Sequence, residues 1–62
     1  MSVHETKQFL EVLGFDVRYL KESPEGLLFS GESPSGDNIL IKVGKSIEAR
    51  ENGEWKPIYA FL

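Results

Sequence analysis

One turn motif occurs twice, ten residues apart: Ser23-Pro24-Glu25-Gly26 and Ser33-Pro34-Ser35-Gly36. Proline presets φ for the first corner of a reversal, and glycine accepts the positive φ that closes it. A glutamate precedes each copy, Glu22 and Glu32. The residues between the copies must run as one strand, with a further strand on either side. The apolar residues agree. Phe15, Val17 and Tyr19 alternate with Asp16, Arg18 and Leu20, and the alternation resumes at Leu27 and Phe29 and again at Ile39, Ile41 and Val43. A period of two marks strands with one buried face.

Turn length sets register. A three-residue loop Pro24-Glu25-Gly26, closed by a glycine bulge, places Ser23 opposite Leu27, Lys21 opposite Phe29 and Tyr19 opposite Gly31. The second turn places Ser33 opposite Asp37, Gly31 opposite Ile39, Phe29 opposite Ile41 and Leu27 opposite Val43. Both turns then gather the apolar residues on one face. Leu20, Leu28 and Leu40 fall on the other face, with Ser30 between Leu20 and Leu40.

Ahead of the strands, Ser2-Val3-His4-Glu5 has the form of a capping box: hydroxyl to amide in one direction, carboxylate to amide in the other. Val3, Phe9, Leu10, Val12 and Leu13 follow at helical spacing, and Gly14 is placed as a left-handed C-cap with Phe15 folding back. The spacing predicts a helix over 3–13. A helix this short needs a sheet beneath it. Phe9, Leu10 and Leu13 are expected to cover Val17, Phe29, Ile39 and Ile41.

After Val43, Gly44-Lys45 starts another reversal, and Ser46 to Glu51 reads as a strand with Ile47 and Ala49 inward. Asn52-Gly53 is a strong two-residue hairpin signal. The last segment, 55–62, has two phases. A two-residue loop turns Ile58, Ala60 and Leu62 inward, whereas a loop that includes Glu51 turns Trp55, Tyr59 and Phe61 inward. Pro57 lacks a ladder donor, so this strand belongs at an edge or breaks there. The expected architecture is a single α+β domain over 1–62. A short N-terminal helix packs on a four- to five-stranded antiparallel β-meander, with curling toward a barrel as the closed variant.

Size limits the chemistry. A chain of 62 residues buries only about 60% of its surface and has little core to give up for a cleft. An enzyme is therefore not expected. The lack of cysteine excludes thiol catalysis and thiolate metal sites, and it suits a reducing cytoplasm. The first ten residues do not have the form of a secretory signal, and no stretch approaches the roughly 18 apolar residues of a membrane span. His4, the single histidine, stands in the first helical turn, where the helix dipole disfavours its cationic form. Gly44-Lys45-Ser46 resembles the end of a phosphate loop, but the upstream glycine such a loop requires is missing, and strand residues, Leu40 among them, stand in that stretch. Glu48, Glu51 and Glu54 flank an exposed turn beside Arg50 and Lys56, as a solvated, charge-paired hairpin would. Neither a cofactor nor a metal is expected.

A partner surface is the remaining candidate. Trp55, Tyr59 and Phe61, with Arg50 nearby, are residue types that anchor interfaces when they face outward. Core is the plainer role for these aromatics in so small a domain. Leu20, Leu28 and Leu40 make the second sheet face either an exposed patch or another buried layer. These residues suggest a cytoplasmic protein-interaction module, an inhibitor, adaptor or regulator, acting through a sheet face or its C-terminal edge strand. Its partner would be a protein, or a second copy paired along an edge. The alternative is a small-barrel nucleic-acid binder, with Arg18, Lys21, Lys42, Lys45, Arg50 and Lys56 meeting phosphates. The net charge of −3 and the core-face position of Lys21 oppose that.

Overall fold

The computed structural model describes residues 2–62. The helix α1 (Val3–Val12) begins with the expected capping box: the Glu5 amide donates to Ser2 Oγ and the Ser2 amide donates to Glu5 Oε1, both at 3.1 Å. It ends on Gly14 at φ +101°, with the Phe15 amide donating to the Leu10 carbonyl and the Gly14 amide to that of Glu11, each at 3.0 Å. Those two bonds satisfy carbonyls that the last turn would otherwise leave open, and they aim Phe15 back at Leu10.

Five strands follow: β1 (Asp16–Ser23), β2 (Gly26–Glu32), β3 (Asn38–Val43), β4 (Ile47–Glu51) and β5 (Glu54–Pro57). They form one antiparallel sheet in chain order, β1-β2-β3-β4-β5. The sheet is open, with β1 and β5 at its edges, so the barrel-like variant is corrected. A 3-10 turn, Ile58–Phe61, closes the described chain. Helix and 3-10 turn cover the same face. Beneath them lie Leu10, Phe15, Val17, Phe29, Ile39, Ile41, Ala49 and Phe61, with Val3, Leu13, Leu27, Val43, Ile47 and Ile58 packed around.

The second hairpin keeps its expected register: Gly31↔Ile39, Phe29↔Ile41, Leu27↔Val43. The Ser33 amide donates to the Asp37 carbonyl at 2.9 Å, and Gly36 takes φ +93°. The first hairpin does not keep its register. Its loop is two residues, Pro24-Glu25, and Gly26 joins the ladder opposite Ser23. Ser23 Oγ donates to the Gly26 carbonyl at 2.9 Å and accepts from the Glu25 amide at 3.2 Å, which closes the turn one residue early. A one-residue slip would turn every β1 side chain to the wrong face. A bulge at Leu20 prevents this by shifting the register between Tyr19 and Lys21. Tyr19 therefore faces Phe29, not Gly31, and their rings meet edge-on at 5.5 Å. Lys21 faces Leu28 on the uncovered side rather than Phe29 in the core. Val17 takes the place opposite Gly31, where a Cβ would stand 1.9 Å from the Asp16 carbonyl oxygen.

Two further expectations change. Phe9 is 43% exposed, and the buried line of the helix runs through Thr6 and Leu10, with Val3 and Leu13 beside it. Thr6 can lie in the core because its hydroxyl donates to the Ser2 carbonyl at 2.8 Å. At the other end, Asn52 (φ +56°) and Gly53 (φ +83°) make the two-residue turn, so Trp55 pairs with Arg50 and turns away from the core. The strand stops at Pro57. From there the spacing is helical, so Ile58 and Phe61 turn inward while Ala60 and Leu62 stay exposed.

Two measurements test this account. Gly31→Ala should cost about 2–3 kcal/mol, because backbone must move to admit the methyl group. Gly36→Ala meets no atom within 4 Å and should cost less, mainly through its positive φ. Equal shifts of the two urea midpoints would contradict the close approach at Gly31. The second test is pH. The Ser2 amide, and then the Ser2 hydroxyl, hold the Glu5 carboxyl below its ordinary pKa. A depressed folded-state pKa contributes stability above the unfolded value, and that contribution is lost as pH falls through the folded one. Glu5→Ala should lower the thermal midpoint at neutral pH, and the gap should shrink as pH drops through the carboxylate range.

Candidate functional site

No described element covers the second face of the sheet, and its side chains line up in rungs. One rung crosses all five strands as Arg18, Ser30, Leu40, Arg50 and Trp55. The next runs Lys21, Leu28, Lys42, Glu48 and Pro57. Leu20 joins this face by alternation from Arg18, and it is 47% exposed at the bulge. The bulge sets Leu20 and Lys21 together against Leu28, which is why two successive residues share a side. A third rung, Asp16, Glu32 and Asn38, ends the face with acid.

Trp55 lies half-buried among cations. Lys42 Nζ stands 4.6 Å from its ring centroid, and the Arg50 guanidinium carbon stands 6.0 Å away. Each such contact contributes about 0.5–1 kcal/mol at an exposed site. Lys42 also meets Glu48 Oε1 at 3.5 Å, and with its side chain only 17% exposed it is held between ring and carboxylate. Among the described residues, Arg18, Lys21 and Arg50 form no ion pair. Their charge is therefore offered to solvent. The two central rungs hold four of the seven Lys and Arg residues (Arg18, Lys21, Lys42, Arg50) and one of the ten acids (Glu48). The chain as a whole is acidic, and this part of its surface is not.

Of the residues singled out by sequence, the face brings together Leu20, Leu28, Leu40, Arg50 and Trp55. It does not include the other two aromatics. Phe61 is core, and Tyr59, 73% exposed, rides on the 3-10 turn. The expected stripe of Trp55, Tyr59 and Phe61 dissolves because the chain leaves extended geometry at Pro57, and a period of two no longer applies. As partner contacts, Arg18, Lys21 and Lys42 were expected only toward phosphates. Alternation with Val17 and Ile41 was enough to place Arg18 and Lys42 on this face. Lys21 carried no such signal, because its phase depends on the bulge.

The remaining candidates are resolved by their surroundings. Gly44-Lys45-Ser46 forms the β3–β4 turn, with the Gly44 amide donating to the Ser46 carbonyl at 3.1 Å. It borders an open hollow of about 340 Å³ with Pro24, Glu25, Lys42 and Glu48. Two carboxylates face the two lysines there, so the hollow has no net preference for an anion. His4 is exposed, and Glu54 pairs with Lys56 at 3.7 Å. Lys56 lies opposite Ala49, on the helix side of the sheet, and so stands apart from the open face. No three His, Asp or Glu side chains among the described residues are placed to hold a metal ion. No described helix is long and apolar enough to cross a membrane. No protein-family model matches the chain, and no curated protein or solved structure matches it either.

Trp55, the single tryptophan, reports directly on this face. The ratio of iodide to caesium quenching should exceed that of free N-acetyltryptophanamide, because the neighbouring cations concentrate anions. Arg50→Gln should narrow that difference. A ratio below that of the free fluorophore would mean that the acids at Glu48 and Glu54, rather than the cations, set the local field.

Proposed function

We propose that this chain is a non-catalytic protein-interaction module, an inhibitor, adaptor or regulator, that binds a protein partner through the open face of its sheet. The supporting observation is one of layering. Helix and 3-10 turn bury one side, while Leu20, Leu28, Leu40 and Trp55 remain half-buried or exposed on the other, where no described element packs over them. A contiguous apolar patch rimmed by polar groups is a common form for a docking surface. Tryptophan and arginine, adjacent here at Trp55 and Arg50, are the residue types that dominate interface energies.

The face supports binding better than the C-terminal edge does. β5 is four residues long, Pro57 offers no amide, and Glu54 and Lys56 expose charge beside it. These features discourage strand addition, whether by a partner or by a second copy. At the opposite edge, the bulge at Leu20 interrupts β1. The lack of cysteine suits a reducing compartment, and we place the module in the cytoplasm on that ground.

Nucleic acid is the second reading, and one observation favours it: the bulge moves Lys21 onto the face beside Arg18, Lys42 and Arg50. Against it, Trp55 is the one aromatic on the two rungs, and Lys42 already stands over its ring. A base would have to displace that cation before stacking.

Affinity capture from the source cell with tagged chain tests the proposal when run beside two variants. Leu40→Glu puts a charge in the middle of the face and should abolish recovery of a defined protein. Val12→Glu, at a helix position 84% exposed, should leave recovery unchanged. Circular dichroism confirms that both variants fold. Equal recovery by all three chains would reject the face. Recovery of nucleic acid alone, lost with Leu40→Glu, would favour the second reading.

A further inference from the structure

We infer that the surface docking on the open face is an acidic strip of a protein, with carboxylates alternating with apolar side chains. This rests on the interaction reading above and names the chemistry of the partner. Charge complementarity in a fixed geometry selects this partner. Along the first rung, Arg18 on β1 and Arg50 on β4 stand three strand spacings apart, about 14 Å, with Ser30 and Leu40 between them. Along the second, Lys21 and Lys42 stand two spacings apart, about 10 Å, with Leu28 between. Each leucine is thus bracketed by cations along its rung. A partner that fills the leucine positions with apolar groups brings its flanking groups over those cations.

Three of the four cations have no ion pair among the described residues, so carboxylates arriving there break no existing ion pair. Lys42 is already committed to Glu48 and Trp55 and serves as part of the platform. A second copy of the chain is a poorer occupant, because its own face repeats the same four cations. A phosphate backbone would match the charge. It would leave Leu20, Leu28 and Leu40 without apolar partners, and it would meet Asp16 and Glu32 at the end of the face. The alternation of leucine with cation is matched by an extended segment whose every second residue, all on the face it presents, is in turn apolar and acidic.

The experiment titrates the intact chain with short synthetic peptides in which every second residue alternates Glu and Leu, Gln and Leu, or Lys and Leu, with Ser between, so that both kinds share one face of the extended peptide (the Glu-Leu, Gln-Leu and Lys-Leu peptides), and with oligothymidylate. Trp55 emission is followed by fluorimetry and the backbone amide shifts by NMR, each at low and high salt. The Glu-Leu peptide should move the amides of Arg18, Leu28, Leu40, Arg50 and Trp55, and at low salt it should bind about tenfold tighter than Gln-Leu. That margin should fall to about threefold or less at roughly 0.3 M salt, where the screening length drops to about 6 Å. Arg18→Gln, at an exposed position, should remove most of the margin while the thermal midpoint stays unchanged, and Arg50→Gln should remove it with a midpoint lowered by a few degrees through the lost contact over Trp55. Equal binding of Glu-Leu and Gln-Leu on this face would overturn the acidic strip and leave the interaction reading standing. Oligothymidylate shifting the same amides with no peptide bound would overturn both, as would no ligand reaching the face at all.

Discussion

Phe29 and Ile41 face each other across β2 and β3, both fully buried, and the rest of the molecule is arranged around that contact. Leu10 and Phe61 belong to the same cluster, one from the helix and one from the 3-10 turn. A domain of this size has no second core to fall back on. The contact therefore fixes the phase of every strand. Each neighbour must present its alternate residues to the same side, or lose its share of the buried layer.

That requirement accounts for the least regular part of the sheet. The first hairpin closes on a two-residue loop because Ser23 bonds both the Glu25 amide and the Gly26 carbonyl. Left uncorrected, this register would carry Val17 and Tyr19 out of the core. The bulge at Leu20 absorbs the offset, and Gly31 lets β1 approach where any side chain would strike the Asp16 carbonyl. Turn chemistry, bulge and glycine thus act as one device that keeps β1 in phase with Phe29.

The same device shapes the open face. By placing Leu20 and Lys21 together on the uncovered side, the bulge adds a leucine and a cation to rungs that already hold Leu28, Leu40, Lys42 and Arg50. Pro57 acts similarly at the far edge. It ends β5 just after Trp55 has turned outward, and it releases Phe61 to return to the core. The surface proposed for binding therefore follows from how the core is kept in phase at the two edges of the sheet.

Local chemistry made much of this legible in the chain itself. The capping box at Ser2 and Glu5, the glycine at the end of the helix, the Ser33–Gly36 turn and the alternation through Phe29 and Ile41 depend on residues close in sequence, and each was readable there. The outward placement of Leu28 and Leu40 followed from the same alternation. Tertiary structure decided what alternation cannot express: the early closure at Ser23, the compensating bulge, the burial of Thr6 in place of Phe9, and the fold-back of Phe61. In each case the outcome is set by which side chain best fills space against a residue distant in sequence, and no local period records that. Trp55 combines both kinds of information. The Asn52-Gly53 turn sets its strand phase locally, whereas Lys42, which stands over its ring, arrives from a strand brought alongside by the fold.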